Sequence, residues 1–300
     1  MAKLEFGWFV PPIGIAETEY VPLAKWQQDK ILPVVVEHFD SLWAPDHFYA
    51  FEDPANPWLE CWTVLTWLAA RFPTMKVGQV VLAVGYRNPA LLAKMAATLQ
   101  ELSGGRLILG IGAGWRAEEY EAYGYDFPAT VVRVKQLDEA VQIMRLMWTE
   151  STPTFKGEHF HIEKAYCAPR PTPVPPIMIG GSGEQLVLPL IARLADIWDL
   201  YHGHTYDTID LEAYRRKRDI VRRPAEAAGR DPSKITQSVT IGEAKLPETS
   251  DDSKSWLRHL EPLVELGVSQ FILDCGHVAS PEPVARFGEE VISVMNRRIA

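Results

Sequence analysis

The chain has 300 residues, 47% hydrophobic and 23% charged, which is enough apolar material to bury a large core. Its formal net charge of −9 argues against a nucleic-acid-binding protein, because such a protein needs a basic face. The three cysteines lie far apart, no Cys and His spacing predicts a metal site, and no apolar run could cross a membrane, so we expect a cytoplasmic protein with free thiols.

The first half of the chain alternates short strand-like runs with longer helical patterns. The run at 76–84 is apolar and β-branched, which is typical of a buried strand in a parallel sheet. The pattern at 89–102 is the clearest helix, with Pro89 in its first turn and a Gly-Gly pair after its end. The predicted strands are 4–9, 41–44, 76–84 and 107–112, and the predicted helices are 21–38, 58–71, 89–102 and 131–148.

The alternation is interrupted once and then continues to the end of the chain. Residues 149–175 contain a predicted hairpin at 154–160 and a proline-rich connector, and we interpret them as an insertion loop. The later predicted strands are 177–180, 197–200, 237–244 and 270–273, and the later helices are 184–194, 208–228, 254–266 and 283–298.

Eight strand–helix units in one chain are the arithmetic of a (β/α)8 barrel, the TIM-barrel fold of the α/β class. We therefore predict a single barrel domain over residues 1–300, with the insertion region inside it. Enzymes of this fold place their sites on the loops that follow the C-terminal ends of the strands, so these positions are the candidates for function.

Two of these strand ends suggest polar or flat ligands. Asp46 and His47 follow the second strand, where a carboxylate beside an imidazole could transfer protons or bind a polar heterocycle. A turn aspartate with a partly buried histidine is the alternative. The third strand ends in Ala83, Val84 and Gly85, which are small enough for a flat ring to approach, or they simply pack the barrel.

The fourth strand ends in a glycine-rich segment that has two interpretations. Gly112, Ala113 and Gly114 could open space at a barrel mouth. With Ala117 they also match a dinucleotide-binding fingerprint, and Asp138 lies at the distance of the acid that binds the ribose in a nicotinamide-dependent Rossmann dehydrogenase. Three strand–helix units precede this fingerprint, and Asp138 is predicted to lie inside a helix, so the barrel is favoured.

The fifth strand leads into Gly180, Gly181 and Ser182, the best single chemical signal in the chain. Backbone amides of a glycine-rich turn before a helix form an anion site, and the Ser182 hydroxyl could add a donor. A plain glycine turn with a serine cap is the alternative.

The blocks that carry these residues resemble one known family. Residues 39–47, 89–115, 175–181 and 192–196 occur in the order found in the bacterial luciferase-like family of flavin- and F420-dependent oxidoreductases. The resemblance covers residues 39–199, and the rest of the chain matches only a general barrel pattern. It implies a barrel with an insertion region, usually dimeric, whose cofactor ring lies over the barrel mouth.

The resemblance implies roles for the residues near the ring. Asp46 and His47 would face the ring as the catalytic pair, with His47 as the candidate for proton transfer. Ala83 and Val84 would back the ring, through an unusual cis peptide or a bulge.

The resemblance also implies how the rest of the cofactor is held. Gly112, Ala113 and Gly114 would flank the ring or its tail. Gly180, Gly181 and Ser182 would bind the tail phosphate through backbone amides, in agreement with the anion site expected from the glycine-rich turn.

Two chemistries share this family. F420-dependent members transfer a hydride to or from an organic substrate, and FMN-dependent members are monooxygenases that use reduced flavin and oxygen. The Asp46-His47 loop together with residues 57–63 is more similar to the F420 type, so F420 is the expected cofactor and FMN the alternative. We expect a small-molecule substrate, a homodimer, no nucleic-acid or membrane partner, and a separate flavin or F420 reductase as a possible partner. A non-catalytic flavin-binding relative is the alternative of another class.

Overall fold

Parallel strands and helices alternate in the computed structural model, which describes residues 3–11, 25–51, 53–202, 209–227 and 229–299. The strands are β1 (Glu5–Phe9), β2 (Ser41–Ala44), β3 (Lys76–Gln79), β4 (Leu82–Ala83), β5 (Leu107–Gly112), β6 (Phe155–Lys156), β7 (His161–Ile162), β8 (Ile177–Gly180), β9 (Ile197–His202), β10 (Thr236–Ile241) and β11 (Val268–Leu273). The α-helices are α1 (Leu32–His38), α2 (Cys61–Arg71), α3 (Pro89–Leu102), α4 (Ala117–Ala122), α5 (Thr130–Thr149), α6 (Val187–Leu194), α7 (Leu211–Ala227), α8 (Ser250–Glu265), α9 (Glu282–Arg286) and α10 (Ser293–Ile299). Short π-helical segments, Gln27–Ile31 and Phe287–Ile292, lead into α1 and α10.

The long strands form one closed parallel barrel. Their order is β3-β2-β1-β11-β10-β9-β8-β5-β4, and a further pairing of β3 with β5 closes the ring. Because β3 and β4 together occupy one position, the ring has eight strand positions. The predicted (β/α)8 barrel is confirmed, and the Rossmann alternative is wrong because its sheet would be open. Asp138 lies within α5, where it accepts a hydrogen bond from Gln142.

Two hydrophobic clusters stabilise the barrel. The larger cluster lies between strands and helices, where α3 and α5 bury one face each. A smaller cluster fills the barrel itself, with Trp43 fully buried between the strands. The residues of this inner cluster are Trp43, Ile108, Met178, Ile197 and Ile272.

Several boundaries agree with the sequence prediction because local signals set them. Helix α3 begins at Pro89, where the Asn88 side chain accepts hydrogen bonds from the amides of residues 90 and 91. Other boundaries were wrong: the predicted strand 76–84 is divided into β3 and β4, and the helix predicted from residue 184 begins at Val187. Part of the predicted helix 21–38, residues 21–24, lies outside the described residues.

The insertion forms the expected hairpin from β6 and β7, which pair antiparallel. Its turn is fixed to α5, because the Glu139 carboxylate accepts hydrogen bonds from the amides of Glu158, His159 and Phe160. The insertion therefore lies against the outer face of a barrel helix. No helix in the described part of the chain has both the length and the apolar character needed to cross a bilayer.

Candidate active site

The structure places all ten predicted site residues at one end of the barrel. Each lies in the last residues of a parallel strand or in the segment that follows it, after β2, β4, β5 and β8. Parallel strands bring their C-terminal ends to the same side, so these residues share one mouth. They are Asp46, His47, Ala83, Val84, Gly112, Ala113, Gly114, Gly180, Gly181 and Ser182.

Asp46 is a buried carboxylate that joins two strand ends. Arg87 donates to both of its oxygens, at 2.8 and 2.9 Å, and the Ala83 amide donates at 3.0 Å. Arg87 also bonds Glu60 at 2.8 Å. Burial disfavours the Arg87 cation, but the Asp46 carboxylate outweighs this effect and raises the pKa of Arg87. Asp46 thus fixes the position of the loop that carries His47.

His47 is held by a second buried carboxylate. Its Nδ1 lies 2.8 Å from Oε2 of Glu119, a fully buried residue of α4. The amide of Phe48 and the hydroxyl of Tyr86 also donate to this carboxylate, each at 3.0 Å, as does Arg116 at 3.1 Å. Burial alone would raise the pKa of Glu119, but these hydrogen bonds, from His47 above all, lower it.

The arrangement therefore presents one ring nitrogen of His47 to the mouth. Nδ1 faces Glu119, and among the described residues Nε2 has no hydrogen-bond partner. The His47 side chain is 14% exposed, so a bound molecule can reach it. An imidazole that is oriented through one nitrogen can exchange a proton through the other.

Aromatic rings surround the exposed side of His47. The centroids of Phe51, Trp58 and Trp115 lie 4.8, 6.4 and 5.7 Å from that of its imidazole. We call these four residues the aromatic box. Phe51 is 47% exposed and Trp115 is 66% exposed, whereas the indole N–H of Trp58 is buried and has no partner within the described residues. The Arg116 guanidinium covers the ring of Phe51 at 4.3 Å.

The two residues between β3 and β4, Val80 and Val81, pack against the inner hydrophobic cluster of the barrel. The peptide bond between Val80 and Val81 is cis, so the resemblance predicted this feature at the wrong place, Ala83 and Val84. The Val81 side chain fills space that larger residues would take: a Cβ at Gly112 would lie 2.9 Å from it, and a Cβ at Gly180 would lie 3.0 Å from it. Gly112 and Gly180 therefore make room for Val81. Val84 is buried and packs into the outer core.

In the glycine turn after β8, the Gly181 amide was predicted to bind an anion but is bonded within the barrel instead. Gly181 has a φ of 150°, which favours glycine, and its amide donates to the carbonyl of Asp199 at 3.1 Å. Its amide is thus used within the barrel. Within the described residues, the amides of Ser182 and Gly183 donate no hydrogen bond.

Cations from α7 lie over this turn. Lys217 Nζ donates to the carbonyl of Ser182 and to the carboxylate of Glu184, each at 3.2 Å. Arg216 also bonds Glu184, at 2.9 Å. Amide donors and two cations therefore meet at Ser182–Glu184, which is the composition of an anion site, and the cations there are shared with the partly exposed Glu184 carboxylate.

A buried carboxyl lies inside the barrel beneath this turn. Asp199 pairs in register with Gly180 and accepts hydrogen bonds from Ser238 at 2.7 Å and from Thr240 at 3.0 Å. Burial raises the pKa of Asp199 to about 6, although the two hydroxyl donors oppose this rise. The three cysteines are free, and no group of three metal-ligating side chains occurs within the described residues.

A family model described as luciferase-like monooxygenase matches residues 37–265, about three quarters of the chain. The chain belongs to this family. The resemblance inferred from the sequence blocks is confirmed, and the match extends it to residue 265.

Curated relatives of the chain include an F420-dependent dehydrogenase and a ketoreductase. An F420-dependent glucose-6-phosphate dehydrogenase of Kineococcus radiotolerans is 33% identical over 67% of this chain and 58% of that protein. A phthiodiolone/phenolphthiodiolone dimycocerosates ketoreductase of a Mycobacterium species is 32% identical over 70% of this chain and 58% of that protein. The chain spans about three fifths of the length of both relatives.

Two solved structures share the fold along almost the whole chain. An F420-dependent secondary alcohol dehydrogenase in complex with an F420-acetone adduct superposes with a TM-score of 0.79, at 18% identity, over 98% of this chain and 99% of that one. A monooxygenase from Streptomyces bottropensis superposes with a TM-score of 0.72, at 17% identity, over 99% of this chain and all of that one. Identities this low establish the shared fold alone.

Sequence reasoning missed the residues that hold the luciferase-like site together. Glu119 lies on the short helix α4, which was not predicted, and it is 72 positions from His47. Arg87 and Arg116 were also missed, although they lie three and four residues after predicted strand ends. An arginine beside a strand end that also carries carboxylates was the signal available in the sequence.

Proposed function

We propose that this protein is an F420-dependent oxidoreductase that transfers a hydride to or from a small organic substrate. The observation that carries the proposal is the imidazole of His47, fixed by a buried carboxylate at the mouth of a luciferase-like barrel. Curated relatives named as F420-dependent enzymes support the choice of cofactor. When bound, the deazaflavin would supply the site that accepts or donates the hydride.

The residues at the mouth fit a flat, polar ring. Small, partly exposed residues stand at the ends of β4, β5 and β8, namely Ala83, Ala113 and Gly180, and Val81 supplies an apolar surface in the space left by Gly112 and Gly180. Asp46 would act as a positioning residue here, because Arg87 and the Ala83 amide occupy its oxygens. His47 would be the residue that moves a proton, through Nε2.

The turn after β8 fits the phosphate of the cofactor. The amides of Ser182 and Gly183 would donate to the phosphate oxygens, and Lys217 and Arg216 would supply positive charge. The Gly181 amide is already bonded to Asp199, so Gly181 would serve the phosphate site only through its backbone conformation, which shapes the turn. These two cations are also placed to meet the acidic tail that F420 carries beyond the phosphate.

The first test is a titration of the protein with F420 and with FMN, followed by tryptophan fluorescence. We expect F420 to bind at least tenfold more tightly than FMN. Lys217→Ala should weaken F420 binding about tenfold, whereas Lys254→Ala, which removes an equal charge at the start of α8, should leave it unchanged. Saturable binding of neither cofactor would overturn the proposal.

A second test addresses His47 with alcohols that reduce F420 in the presence of the enzyme. His47→Asn should lower the turnover rate by about 10²- to 10⁴-fold, the usual contribution of acid–base catalysis, with F420 affinity nearly unchanged. His161→Asn, in the exposed hairpin strand β7, is the matched control. Equal rates for the two variants would remove His47 from the proton-transfer role.

Tight binding of FMN alone would instead favour the monooxygenase chemistry named for one structural neighbour, with a separate reductase as supplier of reduced flavin. Binding without turnover of any alcohol or carbonyl compound would favour a non-catalytic relative.

Three free thiols, two of them buried, support a reducing compartment, and we place the protein in the cytoplasm.

We also propose that two copies associate through α2 and α3. An exposed stripe on α3 carries Leu91 and Leu102, and a groove of about 210 Å³ beside it is lined by Trp62, Met95 and other residues of both helices. Such a stripe is suited to a second, identical helix pair. Leu102→Glu should convert a dimer into a monomer in light scattering, and a wild-type monomer would refute this arrangement.

A further inference from the structure

The segments that follow the eight strand positions contain few cations. Their described parts are residues 10–11, 45–51, 53–60, 84–88, 113–129, 181–186, 209–210, 242–249 and 274–281, and the only Lys or Arg residues within these described parts are Arg87, Arg116 and Lys245. Acidic residues in the same described parts outnumber these three about fourfold. Since strand-end segments supply the substrate contacts of a barrel enzyme, the sequence itself makes this mouth acidic.

The two arginines of the mouth are already neutralised. Arg87 is bonded to Asp46 and Glu60, and Arg116 is bonded to Glu119 at 3.1 Å. Both arginine side chains are largely buried, at 13% and 10% exposure. An anionic substrate would have to compete with buried carboxylates for them.

Carboxylates stand at the ends of the neighbouring strands β10 and β11. Glu243 is exposed, and Asp274 is partly buried with one oxygen accepting a hydrogen bond from the Gly276 amide at 3.1 Å. Burial raises the pKa of Asp274, and the nearby Glu243 charge adds to this rise. Tyr201, at the end of β9 and 58% exposed, lies close enough to feel both charges. Lys245 is exposed two positions after Glu243.

Cations outside the mouth are positioned for other tasks. Arg216 and Lys217 lie at the turn proposed to hold the cofactor phosphate. The insertion carries its own cations, but Glu139 fixes its hairpin to the outer face of α5. Of the cations described near the mouth, Arg216 and Lys217 thus lie at the cofactor turn, Arg87 and Arg116 are paired with carboxylates, and Lys245 is the exposed cation at the end of β10.

The aromatic box offers a different kind of contact. Its exposed rings, Phe51 and Trp115, are nearly parallel, with 6° between their planes and 6.0 Å between their centroids. Aromatic faces attract apolar bodies and cations, and they repel anions.

We propose that the substrate is an uncharged or positively charged organic molecule with an apolar part that contacts the exposed rings of Phe51 and Trp115, and that sugar phosphates and other anions are excluded. The inference rests on the proposed function for the location of the substrate. It separates this chain from the relatives named as glucose-6-phosphate dehydrogenases. The anion that the site binds is then the phosphate of the cofactor, at Ser182–Glu184, and the substrate carries no negative charge.

Isothermal titration calorimetry with four probes tests the proposal: benzyl alcohol, benzylamine, benzoate and glucose 6-phosphate. The 300-residue chain is titrated alone and then saturated with F420. We expect benzyl alcohol and benzylamine to bind at least tenfold more tightly than benzoate, and glucose 6-phosphate to show no saturation. Benzoate or glucose 6-phosphate binding as tightly as benzyl alcohol would overturn the proposal, as would failure of all aromatic probes.

Matched variants test whether Glu243 and Asp274 cause the preference for cationic over anionic probes. Glu243→Gln combined with Asp274→Asn should narrow the affinity ratio of benzylamine to benzoate at least threefold, whereas Glu265→Gln, at the far end of α8, should leave it unchanged. An unchanged ratio in the double variant would count against the mouth carboxylates. If F420 fails to bind but the free protein still ranks the probes as expected, the proposed cofactor falls while the charge preference stands.

Discussion

Replacement of Asp199 by asparagine should make the barrel more stable at neutral pH than the natural protein. The carboxyl is 1% exposed, and its pKa is raised from 3.8 to about 6 by burial. The folded state binds the proton of Asp199 more tightly than the unfolded state does, so protonated Asp199 stabilises the fold. This contribution is full below the unfolded pKa of 3.8 and is lost as the pH rises through about 6. Asparagine keeps the size of the side chain and an oxygen that can accept from Ser238 and Thr240.

The magnitude follows from the two pKa values. A rise from 3.8 to about 6 corresponds to about 3 kcal/mol of unfolding free energy at high pH. Urea unfolding of Asp199→Asn and of the natural protein at several pH values between 4 and 8 measures it. The difference in unfolding free energy, variant minus natural, should grow by about 2.5 kcal/mol across this range.

The control for this experiment is Asp126→Asn, which changes an exposed aspartate in the segment before α5. Its stability should follow that of the natural protein at every pH. The reasoning about Asp199 is refuted if its difference curve is flat between pH 4 and 8, or if the variant loses stability relative to the natural protein as the pH rises.

Further substitutions test the contacts that shape the mouth. Arg87→Met removes the cation paired with the buried carboxylate of Asp46, and urea unfolding at pH 7 should show a loss of about 3–5 kcal/mol; a loss below about 1 kcal/mol would contradict the buried pair. Gly110→Ala places a methyl group against the backbone carbonyl of Gln79 and should destabilise the protein by at least about 3 kcal/mol in the same assay. Gly104→Ala, where φ is 68° but the space is open, should cost only about 1–2 kcal/mol; equal losses for the two glycines would show that crowding is not the cause.

The sequence determined the elements whose signals are local. Helix α3 was predicted with its observed bounds, because Pro89 and the glycines after residue 102 mark its ends and its buried residues recur at helical spacing. Strands β2, β5 and β8 were predicted with their observed C-terminal ends. Since barrel sites lie at those ends, the sequence also located the mouth.

The tertiary structure alone decided which polar groups meet. His47 and Glu119 lie 72 positions apart, and Asp199 and Thr240 lie 41 apart, so no local pattern links either pair. A buried carboxylate needs donors, and the fold supplies whichever donors the closed barrel brings within reach. The break between β3 and β4 at Val80 and the hydrogen bond from the Gly181 amide to Asp199 were also decided by the tertiary structure alone. Their conformations depend on neighbouring strands, and local sequence periodicity carries no information about those neighbours.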